Sequence, residues 1–258
     1  MKIILLNLIK YFFRFFGIEI SLYKNKTVDV FNKIYKNLII EKKIIIFDIG
    51  ANKGQSINRF KKIFNDGSYH CFEPLSSECE KIRRKYGNSK VKINNIALSN
   101  KIEEEVDFYV NKFNQTSSLF SSEPKNKNFI SDRKIKIQTD TIDNYVLKNK
   151  INKINLMKID TQGNEEKILI GAEKCLKNKI FDFIELEMIV GNIYNTGISF
   201  NNIEKLLLPN GYKFFGIDNA GNLYDNFEML QFNLLYISES KYNYYSSSKH
   251  LNFTNKFS

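Results

Sequence analysis

The sequence predicts an α/β fold in which short buried strands alternate with helices around a mostly parallel sheet. The first observation is the apolar, β-branched run at residues 44–49, typical of a strand buried on both faces. The second is the pair Gly50 and Gly54 directly after it, followed by helical spacing of apolar residues from Gln55 to Phe64. This order of strand, glycine loop and helix predicts a site where a ligand approaches the backbone closely.

Length and composition favour one large domain. The chain has 258 residues, of which 43% are hydrophobic, and no linker or repeat divides it. We expect an N-terminal helical extension over residues 1–40, one domain over 41–240 and a C-terminal tail over 241–258. Three cysteines at irregular spacing, without a Cys-x-x-Cys pair, argue against a disulfide framework or a zinc site. A reducing cytoplasm fits this pattern.

The formal charge of +11 raises the question of nucleic-acid binding. Such a partner favours basic residues clustered on one face and interleaved with aromatics. Here the lysines are spread along the chain among asparagine and isoleucine, so we expect no nucleic-acid partner. A solvated lysine surface is the simple explanation, and attraction to nucleotide-linked or anionic substrates is an intermediate alternative.

The N-terminal residues 1–18 are the most hydrophobic part of the chain. Lys2, Lys10 and Arg14 interrupt them, so no uninterrupted apolar span of about 20 residues exists to cross a bilayer. No small-residue cleavage site follows. Two alternatives remain: an amphipathic helix lying on the inner face of the membrane, or a helix packed on the domain or at a homodimer interface. The spacing from Thr27 to Leu38 predicts a second helix.

An acidic residue follows the second predicted strand, Tyr69 to Phe72. Glu73 lies 23 positions after Gly50 (73 − 50), near the interval at which nucleotide-binding sheets place an acid on the ribose hydroxyls. The glycine pattern is G-x-x-x-G, so binding of a dinucleotide pyrophosphate is not indicated. A buried acid at Asp48 suits a ligand with an amino group or a sulfonium charge better than one with phosphates. S-adenosylmethionine fits that description.

The later elements continue the alternation of strands and helices. A loop is predicted at Lys112–Asp132, beside the ligand site. One helix N-cap is predicted at Ser76 or Ser77, and another near Thr139 or Asp140. Strands are predicted at Val91–Ile93, Val106–Val110, Lys134–Gln138, Ile154–Ile159, Phe181–Leu186, Tyr212–Ile217 and Phe232–Ile237, the last two joined by a turn around Gly221. Helices are predicted at Glu78–Tyr86, Thr141–Leu147, Glu165–Leu176 and Phe200–Leu208.

Four blocks of the sequence form a specific pattern: FDIGANKGQ from Phe47, FEP from Phe72, NNIALSN from Asn94 and LMKIDTQGNEEKILIGAEKCL from Leu156. In this order they resemble the FkbM family of S-adenosylmethionine-dependent methyltransferases. The resemblance covers roughly residues 43–187. It implies a Rossmann-like seven-stranded class I methyltransferase sheet, and O-methylation of a sugar hydroxyl, free or nucleotide-linked, in surface polysaccharide biosynthesis. Methylation of a lipid, a peptide or another small metabolite, and a non-catalytic nucleotide-binding scaffold, are the alternatives.

The resemblance and the residue types together predict a cofactor site for S-adenosylmethionine. The expected cofactor-binding residues are Asp48, Gly50, Ala51, Asn52, Gly54, Glu73, Asn95, Ala97 and Ser117. Asn95 and Ala97 fall where the family contacts the adenine, although a turn with a packed alanine explains them equally well. Ser117 lies in a short block that the family places near the cofactor, and a solvent-exposed serine loop is the alternative.

Asp160 and Glu187 are the expected catalytic residues, because each stands at the carboxyl end of a predicted strand, where open α/β sheets bind ligands. Either would remove the proton of an acceptor hydroxyl, or the two would hold a divalent cation, Mg²⁺ or Mn²⁺. Glu165, in the first turn of a helix, has a purely structural explanation as the alternative. Neither His70 nor His250 is predicted as the base.

The segment Val190–Phe200 follows Glu187 directly and is well placed to line the acceptor pocket. Asn192 and Tyr194 are its candidate contacts, and a plain connecting loop is the alternative. Lys158, inside a predicted strand, either snorkels to the surface or contacts the substrate.

Overall fold

The computed structural model describes residues 26–87, 90–112, 114–121, 131–189, 199–218, 224–225, 228–229 and 231–253. The expectations for residues 1–18, for Asn192 and Tyr194 and for the turn at Gly221 lie outside the described residues. No helix in the described part has the length and apolar character needed to cross a bilayer.

The elements follow the predicted alternation. The strands are β1 (Ile45–Ile49), β2 (Ser68–Phe72), β3 (Val91–Asn94), β4 (Ala97–Leu98), β5 (Glu103–Asn111), β6 (Ser131–Asp140), β7 (Ile154–Ile159), β8 (Phe181–Ile189), β9 (Tyr212–Asp218), β10 (Tyr224–Asp225), β11 (Glu228–Met229) and β12 (Gln231–Ser238). The helices are α1 (Lys26–Leu38), α2 (Gln55–Lys61), α3 (Ser76–Tyr86), α4 (Ile142–Lys148), α5 (Glu165–Ile170), α6 (Glu173–Lys177), α7 (Phe200–Leu207) and α8 (Glu239–Phe253), with 3₁₀ turns at Asn114–Thr116 and Leu208–Asn210.

One sheet dominates the fold. Among the described residues it has seven strands in the order β3-β2-β1-β7-β8-β12-β9. The five strands from β3 to β8 run parallel, and β12 is antiparallel to both of its neighbours. The predicted seven-stranded class I methyltransferase sheet is therefore confirmed. The order reverses direction between β1 and β7, so the carboxyl ends of these strands flank the crevice where such sheets bind ligands.

The predicted strands in the 103–140 region are also present, but they do not join the main sheet. In the described chain, β5 pairs antiparallel with β6, and β6 pairs parallel with the short β4. This accessory sheet carries its own small apolar cluster, formed by Leu75, Ala97, Phe108, Val110 and Ile137. Its buried face lies beside the carboxyl end of β2, so it forms a wall of the crevice.

Alternation along the strands gives the main sheet two buried faces. Ile46 and Leu156 belong to one apolar cluster, whereas Phe47 and Met157 belong to the other. Helix α1 packs on the first face through Tyr35, whose ring meets Phe183 edge-on at 5.5 Å between centroids. Burial of an aromatic side chain of this size stabilises the fold by about 1.5–3 kcal/mol.

The predicted helix from Glu165 to Leu176 is instead two helices, α5 and α6, which are separated at Gly171 and Ala172. The backbone of Ser99 approaches closely at this break. A Cβ atom at Gly171 would lie 2.1 Å from the carbonyl oxygen of Ser99, so only glycine fits there. The loop before β5 is thereby held against the helix layer.

Of the two predicted helix caps, one lies next to the expected residues and the other was wrong. Helix α4 is capped by Thr141, whose hydroxyl accepts a hydrogen bond from the Asn144 N–H at 3.1 Å. Ser76 lies inside α3 instead of capping it, and α3 has no side-chain cap. The Ser76 hydroxyl is engaged elsewhere, since it donates to the side-chain oxygen of Asn95 at 2.8 Å.

Residues 239–253 form helix α8, which the sequence pattern did not indicate. Its aromatic residues dock it on the domain. Tyr245 packs edge-on against Phe215, with 5.1 Å between ring centroids. The ammonium of Lys241 donates to the carbonyl of Leu38 at 2.9 Å and pairs with Glu41, joining α8 to the end of α1.

Candidate functional site

A cavity of about 340 Å³ lies where the main sheet meets the accessory sheet. This volume is in the range of small-molecule sites. The walls come from the carboxyl ends of β1, β2, β7 and β8 and from the segment after β5. Its lining residues are Ile49, Gly50, Ala51, Asn52, Gln55, Ser56, Phe72, Glu73, Pro74, Ala97, Leu98, Phe108, Gln115, Thr116, Ser117, Leu119, Asp160, Thr161, Gln162, Asn164, Glu187 and Gln231.

The loop between β1 and α2 is held by backbone contacts that only glycine permits. Gly50 has φ of 82°, and its N–H and that of Ala51 donate to the Phe72 carbonyl at 3.0 and 3.1 Å. A Cβ atom at Gly50 would lie 1.9 Å from the carbonyl oxygen of Asp160. Gly54, with φ of 77°, precedes α2 and faces only side chains. The first glycine therefore fixes the spacing between β1 and β7 at the cavity.

Gly50→Ala is expected to destabilise the fold much more than Gly54→Ala. Both substitutions force a side chain into the left-handed region, which costs about 1–2 kcal/mol. At Gly50 the methyl group also displaces the backbone of Asp160, whereas at Gly54 its nearest contact is a side-chain atom at 3.1 Å. Chemical denaturation of the two variants measures the difference. Equal losses in the free energy of unfolding would contradict the close approach described here.

Glu73 is buried at the cavity wall and joins two backbone segments. One carboxylate oxygen accepts from the Asn52 N–H at 2.9 Å and the other from the Leu75 N–H at 2.8 Å. Burial raises the pKa of Glu73 to about 7, although both hydrogen bonds lower it. Each oxygen keeps a second lone pair, and the residue lines the cavity. The carboxylate can therefore accept hydrogen bonds from a ligand diol.

The second pair of carboxyls stands on the other side of the cavity. Asp160, whose side chain is 32% exposed, receives a hydrogen bond from the Lys158 ammonium at 2.6 Å. The Gln162 amide donates to the second oxygen of Asp160 at 3.2 Å and also to Glu187. One lysine and one amide therefore hold both carboxyls in place.

The proton of this pair belongs on Glu187. Burial and the neighbouring charge of Asp160 raise the pKa of Glu187 well above its ordinary value. Burial also acts to raise the pKa of Asp160, but the Lys158 ammonium outweighs it, together with hydrogen bonds from Lys158, Glu187 and Gln162, so that pKa is lowered. At neutral pH we therefore expect an ionised Asp160 beside a protonated Glu187.

Glu165 supports the turn that presents these groups. Its carboxylate accepts from the N–H of Thr161 at 2.9 Å and of Gly163 at 3.0 Å, and from the Thr161 hydroxyl at 3.0 Å. It does not line the cavity. These contacts favour the structural explanation for Glu165 over a catalytic one.

Beneath the carboxyl pair lies a buried layer of charge on the α1 and α2 face of the sheet. Arg59 donates to both oxygens of Glu185 at 2.8 and 2.6 Å, and the Tyr35 hydroxyl donates to the same carboxylate at 2.6 Å. Asp48 is fully buried beside Lys158, its neighbour in register on β7. Burial raises the pKa of Asp48 to about 6, while Lys158 acts to lower it.

Comparison with known proteins gives a family for the chain. A family model described as the methyltransferase FkbM domain matches residues 48–214, which include both β1 and the β7 turn. The chain belongs to the FkbM methyltransferase family. Membership implies S-adenosylmethionine as its cofactor.

One curated relative of this FkbM protein is the 2-O-methyltransferase NoeI of Sinorhizobium fredii (strain NBRC 101917 / NGR234). It is 24% identical over 152 residues, which cover 55% of this chain. The match spans 62% of the length of NoeI, less than two thirds of that protein.

Solved structures of several methyltransferases are similar to the FkbM chain at low sequence identity. The precorrin-6y C5,15-methyltransferase of Geobacter metallireducens GS-15 is 12% identical, with a TM-score of 0.44 over 84% of this chain and 90% of that one. An rRNA methylase of Streptococcus thermophilus is 7% identical, with a TM-score of 0.47 over 85% of this chain and 99% of that one.

The lining of the cavity fits the cofactor that the FkbM family implies. Glu73, Asp160 and Glu187 contribute carboxyls, and no lysine or arginine of the described chain lines the cavity. Such a lining suits a ligand with a sulfonium and an ammonium charge. Ala97 and Phe108 add an apolar wall on the side of Glu73, where a flat ring would be accommodated.

The structure brings most of the predicted site residues of the FkbM chain together. Those that line the cavity are Gly50, Ala51, Asn52, Glu73, Ala97, Ser117, Asp160 and Glu187. Three do not line it: Asp48, Gly54 and Asn95. Alternation along β1 places Asp48 beneath the loop beside Lys158, and the Asn95 amide donates to the backbone carbonyls of Glu73 and Pro74 at 3.0 and 2.8 Å. These contacts give Asn95 a role in holding the turn after β2.

Sequence reasoning missed Gln162, which links the two carboxyls. Its φ of 57° is in the left-handed region, where a non-glycine residue is uncommon. The signal available was its position between a strand end and Gly163, in a turn that directly follows a predicted catalytic acid. Phe108 and Gln231 also line the cavity and were not predicted.

The expected divalent cation on Asp160 and Glu187 does not fit the contacts observed. The Lys158 ammonium holds one oxygen of Asp160, and the Gln162 amide faces both carboxyls, so the oxygens that would bind a cation already meet donors. A raised pKa on Glu187 further favours its neutral form. Across the described residues, no group of three or more His, Cys, Asp or Glu side chains is arranged to hold a metal ion.

Stability of this FkbM chain is expected to fall as the pH rises from about 5 to 8. Burial raises the pKa of Asp48 to about 6 and those of Glu73 and Glu165 to about 7. Between the unfolded and folded pKa values the folded chain binds more protons, so the free energy of unfolding decreases with pH. Burial lowers the pKa of His70 to about 4, so this residue makes the free energy of unfolding increase with pH. It is a single group, whereas three carboxyls have the opposite effect.

Groups with lowered pKa do not change this expectation. Asp160 and Glu185 have lowered pKa values and are largely ionised in both the folded and the unfolded chain above about pH 5, so their contribution to stability is lost only at lower pH.

Melting temperatures at pH 5 and pH 8 measure the fall in stability with pH, and Glu165→Gln should make that fall smaller. A wild-type chain that is more stable at pH 8 would contradict the assignment of raised pKa values.

Proposed function

We propose that this FkbM chain transfers a methyl group from S-adenosylmethionine to a hydroxyl of a sugar. The observation that carries the proposal is the Asp160 carboxyl at the cavity wall, oriented by Lys158 and Gln162. A carboxylate held in this way can accept the proton of a hydroxyl. Family membership supports the donor, and the similarity to the 2-O-methyltransferase NoeI supports oxygen as the acceptor atom.

The donor would be held through groups on the β1 and β2 side of the cavity. Glu73 would accept hydrogen bonds from the ribose hydroxyls, and the Gly50–Asn52 backbone would follow the rest of the nucleoside. Ala97, Leu98 and Phe108 would enclose the adenine. When bound, S-adenosylmethionine supplies an electrophilic methyl group on a positively charged sulfur.

The residues on the β7 and β8 side would carry the acceptor chemistry. Transfer would join the acceptor oxygen to the methyl carbon as the bond from that carbon to sulfur breaks, with S-adenosylhomocysteine as the product. The hydroxyl proton would pass to Asp160. Lys158 and Gln162 hold Asp160 in one orientation, and protonated Glu187 donates toward it, so the base need not reorganise during the reaction.

The lining of the cavity supports an uncharged acceptor. Gln162 and Gln231 offer amide groups that match the donors and acceptors of a sugar. No lysine or arginine of the described lining offers a partner for a phosphate close to Asp160. A free or glycosidically linked sugar therefore fits the carboxyl side better than a nucleotide-linked sugar, despite the charge of +11 on the whole chain. Surface polysaccharide is the proposed destination, and the cytoplasm is the proposed location.

A panel of acceptors tests this proposal with the purified chain and methyl-labelled S-adenosylmethionine. The panel contains neutral glycosides, the matching nucleoside diphosphate sugars, a phospholipid and a peptide. We expect the largest kcat/KM with a neutral glycoside. Preferred methylation of the lipid or the peptide would overturn the sugar proposal, and preference for the nucleotide sugar would overturn the argument from the uncharged lining.

A further inference from the structure

Ser118 connects the accessory sheet to the turn that follows Asp160. Its side chain is fully buried, and its hydroxyl donates to the carbonyl of Gln162 at 2.7 Å. The same oxygen accepts from the Phe120 N–H at 3.0 Å. The Ser118 backbone also exchanges hydrogen bonds with Tyr109 of β5 at 2.8 and 3.1 Å. Ser118 thus joins the accessory sheet to the turn that follows β7.

The residue that Ser118 contacts has an unusual backbone. Gln162 has φ of 57° and Gly163 has φ of 112°, so this turn depends on its surroundings to persist. A donor on the Gln162 carbonyl holds the peptide in the orientation that aims its side chain at Asp160 and Glu187. Loss of this hydrogen bond would release the turn that carries the amide facing both carboxyls.

The residues just before Ser118 belong to the cavity itself. Gln115, Thr116 and Ser117 line it, and the Ser117 hydroxyl accepts from the Asn111 N–H at 3.1 Å. A ligand in the cavity therefore contacts the segment that ends in Ser118. Two contacts link that segment to the carboxyl pair. The Ser118 hydroxyl donates to the Gln162 carbonyl, and the Gln162 amide donates to Asp160 and Glu187.

We propose that Ser118 is a positioning residue that couples occupation of the cofactor site to the placement of Gln162 on Asp160 and Glu187. The inference rests on the proposed function, because it assigns the carboxyl pair to methyl transfer. Cofactor bound against the 115–117 segment steadies Ser118, and Ser118 then holds the Gln162 turn in its active form. Ser117, whose hydroxyl accepts from the Asn111 N–H, acts on the cofactor side.

A double-mutant cycle tests the coupling. Ser118→Ala should lower kcat about ten- to a hundred-fold, with the dissociation constant of S-adenosylhomocysteine changed by less than about three-fold. The double variant with Gln162→Ala should be no slower than Gln162→Ala alone, because Ser118 acts through Gln162. Multiplicative effects of the two substitutions would overturn the proposal. Ser99→Ala, a buried serine that does not line the cavity, is the matched control and should keep wild-type kcat.

A second measurement does not depend on knowing the acceptor. Hydrogen exchange is followed in the peptides covering residues 114–121 and 160–165, with and without S-adenosylhomocysteine. In the wild type both should be protected by the ligand, and in Ser118→Ala only the first. If Ser118→Ala does not fold, Ser118→Cys keeps the volume with a much weaker donor.

The outcomes separate this proposal from the proposed function. Protection of 160–165 that survives in both Ser118 variants overturns the coupling, whatever the acceptor is. If protection of 160–165 is lost in the Ser118 variants and the wild type methylates no member of the acceptor panel, the coupling is supported and the sugar proposal is overturned. Failure of S-adenosylhomocysteine to bind the wild type overturns both.

Discussion

Asp160→Asn is expected to reduce kcat by about 10²–10⁴-fold, the range that a general base contributes. The amide cannot take the hydroxyl proton, and it places a donor where the Lys158 ammonium donates at 2.6 Å. Affinity for S-adenosylmethionine should fall much less than kcat, because the groups proposed to hold the nucleoside lie on β1 and β2. Steady-state kinetics and titration calorimetry on the same preparation measure both quantities.

The control for this variant is Asp107→Asn, an aspartate on β5 that pairs with Lys134 and Lys136 at the surface. It should keep wild-type kcat. Lys158→Met offers a further check, because loss of the ammonium should raise the pKa of Asp160 and shift the acidic limb of the kcat profile to higher pH. An Asp160→Asn variant with near wild-type kcat would exclude Asp160 as the base.

Glu73→Ala is expected to raise the dissociation constant of S-adenosylmethionine about ten- to a hundred-fold. A hydrogen bond to a charged group contributes about 1.5–3 kcal/mol, and the water that replaces the carboxylate recovers part of this. The fold should lose stability too, because the N–H groups of Asn52 and Leu75 lose their acceptor. Calorimetric titration gives the affinity, and thermal unfolding gives the stability.

Glu165→Ala is the matched control for Glu73→Ala. Glu165 is also a buried carboxyl that accepts from two backbone N–H groups, but it does not line the cavity. Both variants should unfold at lower temperature, whereas only Glu73→Ala should weaken cofactor binding strongly. Equal effects of the two on affinity would show that the Glu73 result comes from loss of structure, and would remove the ribose assignment.

Much of the sheet and of the cofactor side could be predicted from the sequence, because local rules govern both. An apolar run that stops at glycine defines β1 and its loop, and the interval from Gly50 to Glu73 reflects the length of one strand-helix-strand unit. Asp160 was predicted for the same reason, since it directly follows the strand β7. These features depend on residues close together in the chain.

The features that were not predicted depend on residues far apart in the chain. Glycine is required at position 171 because the backbone at Ser99 approaches it, and no local pattern reveals that contact. Asp48 lies beneath the loop because alternation along β1 turns it toward the register neighbour Lys158. Gln162 acquires its role only when β8 brings Glu187 to the same turn as Asp160. Such pairings follow from strand order rather than from spacing.

Nuclear magnetic resonance of the product tests the central claim most directly. The wild-type chain is incubated with S-adenosylmethionine carrying a ¹³C-labelled methyl group and with the preferred acceptor from the panel. The labelled methyl should appear with the shift of a methyl ether, correlated to one ring carbon of a sugar, and should be missing in Asp160→Asn. A label on nitrogen or carbon, or an equal yield from Asp160→Asn, would contradict hydroxyl methylation with Asp160 as the base.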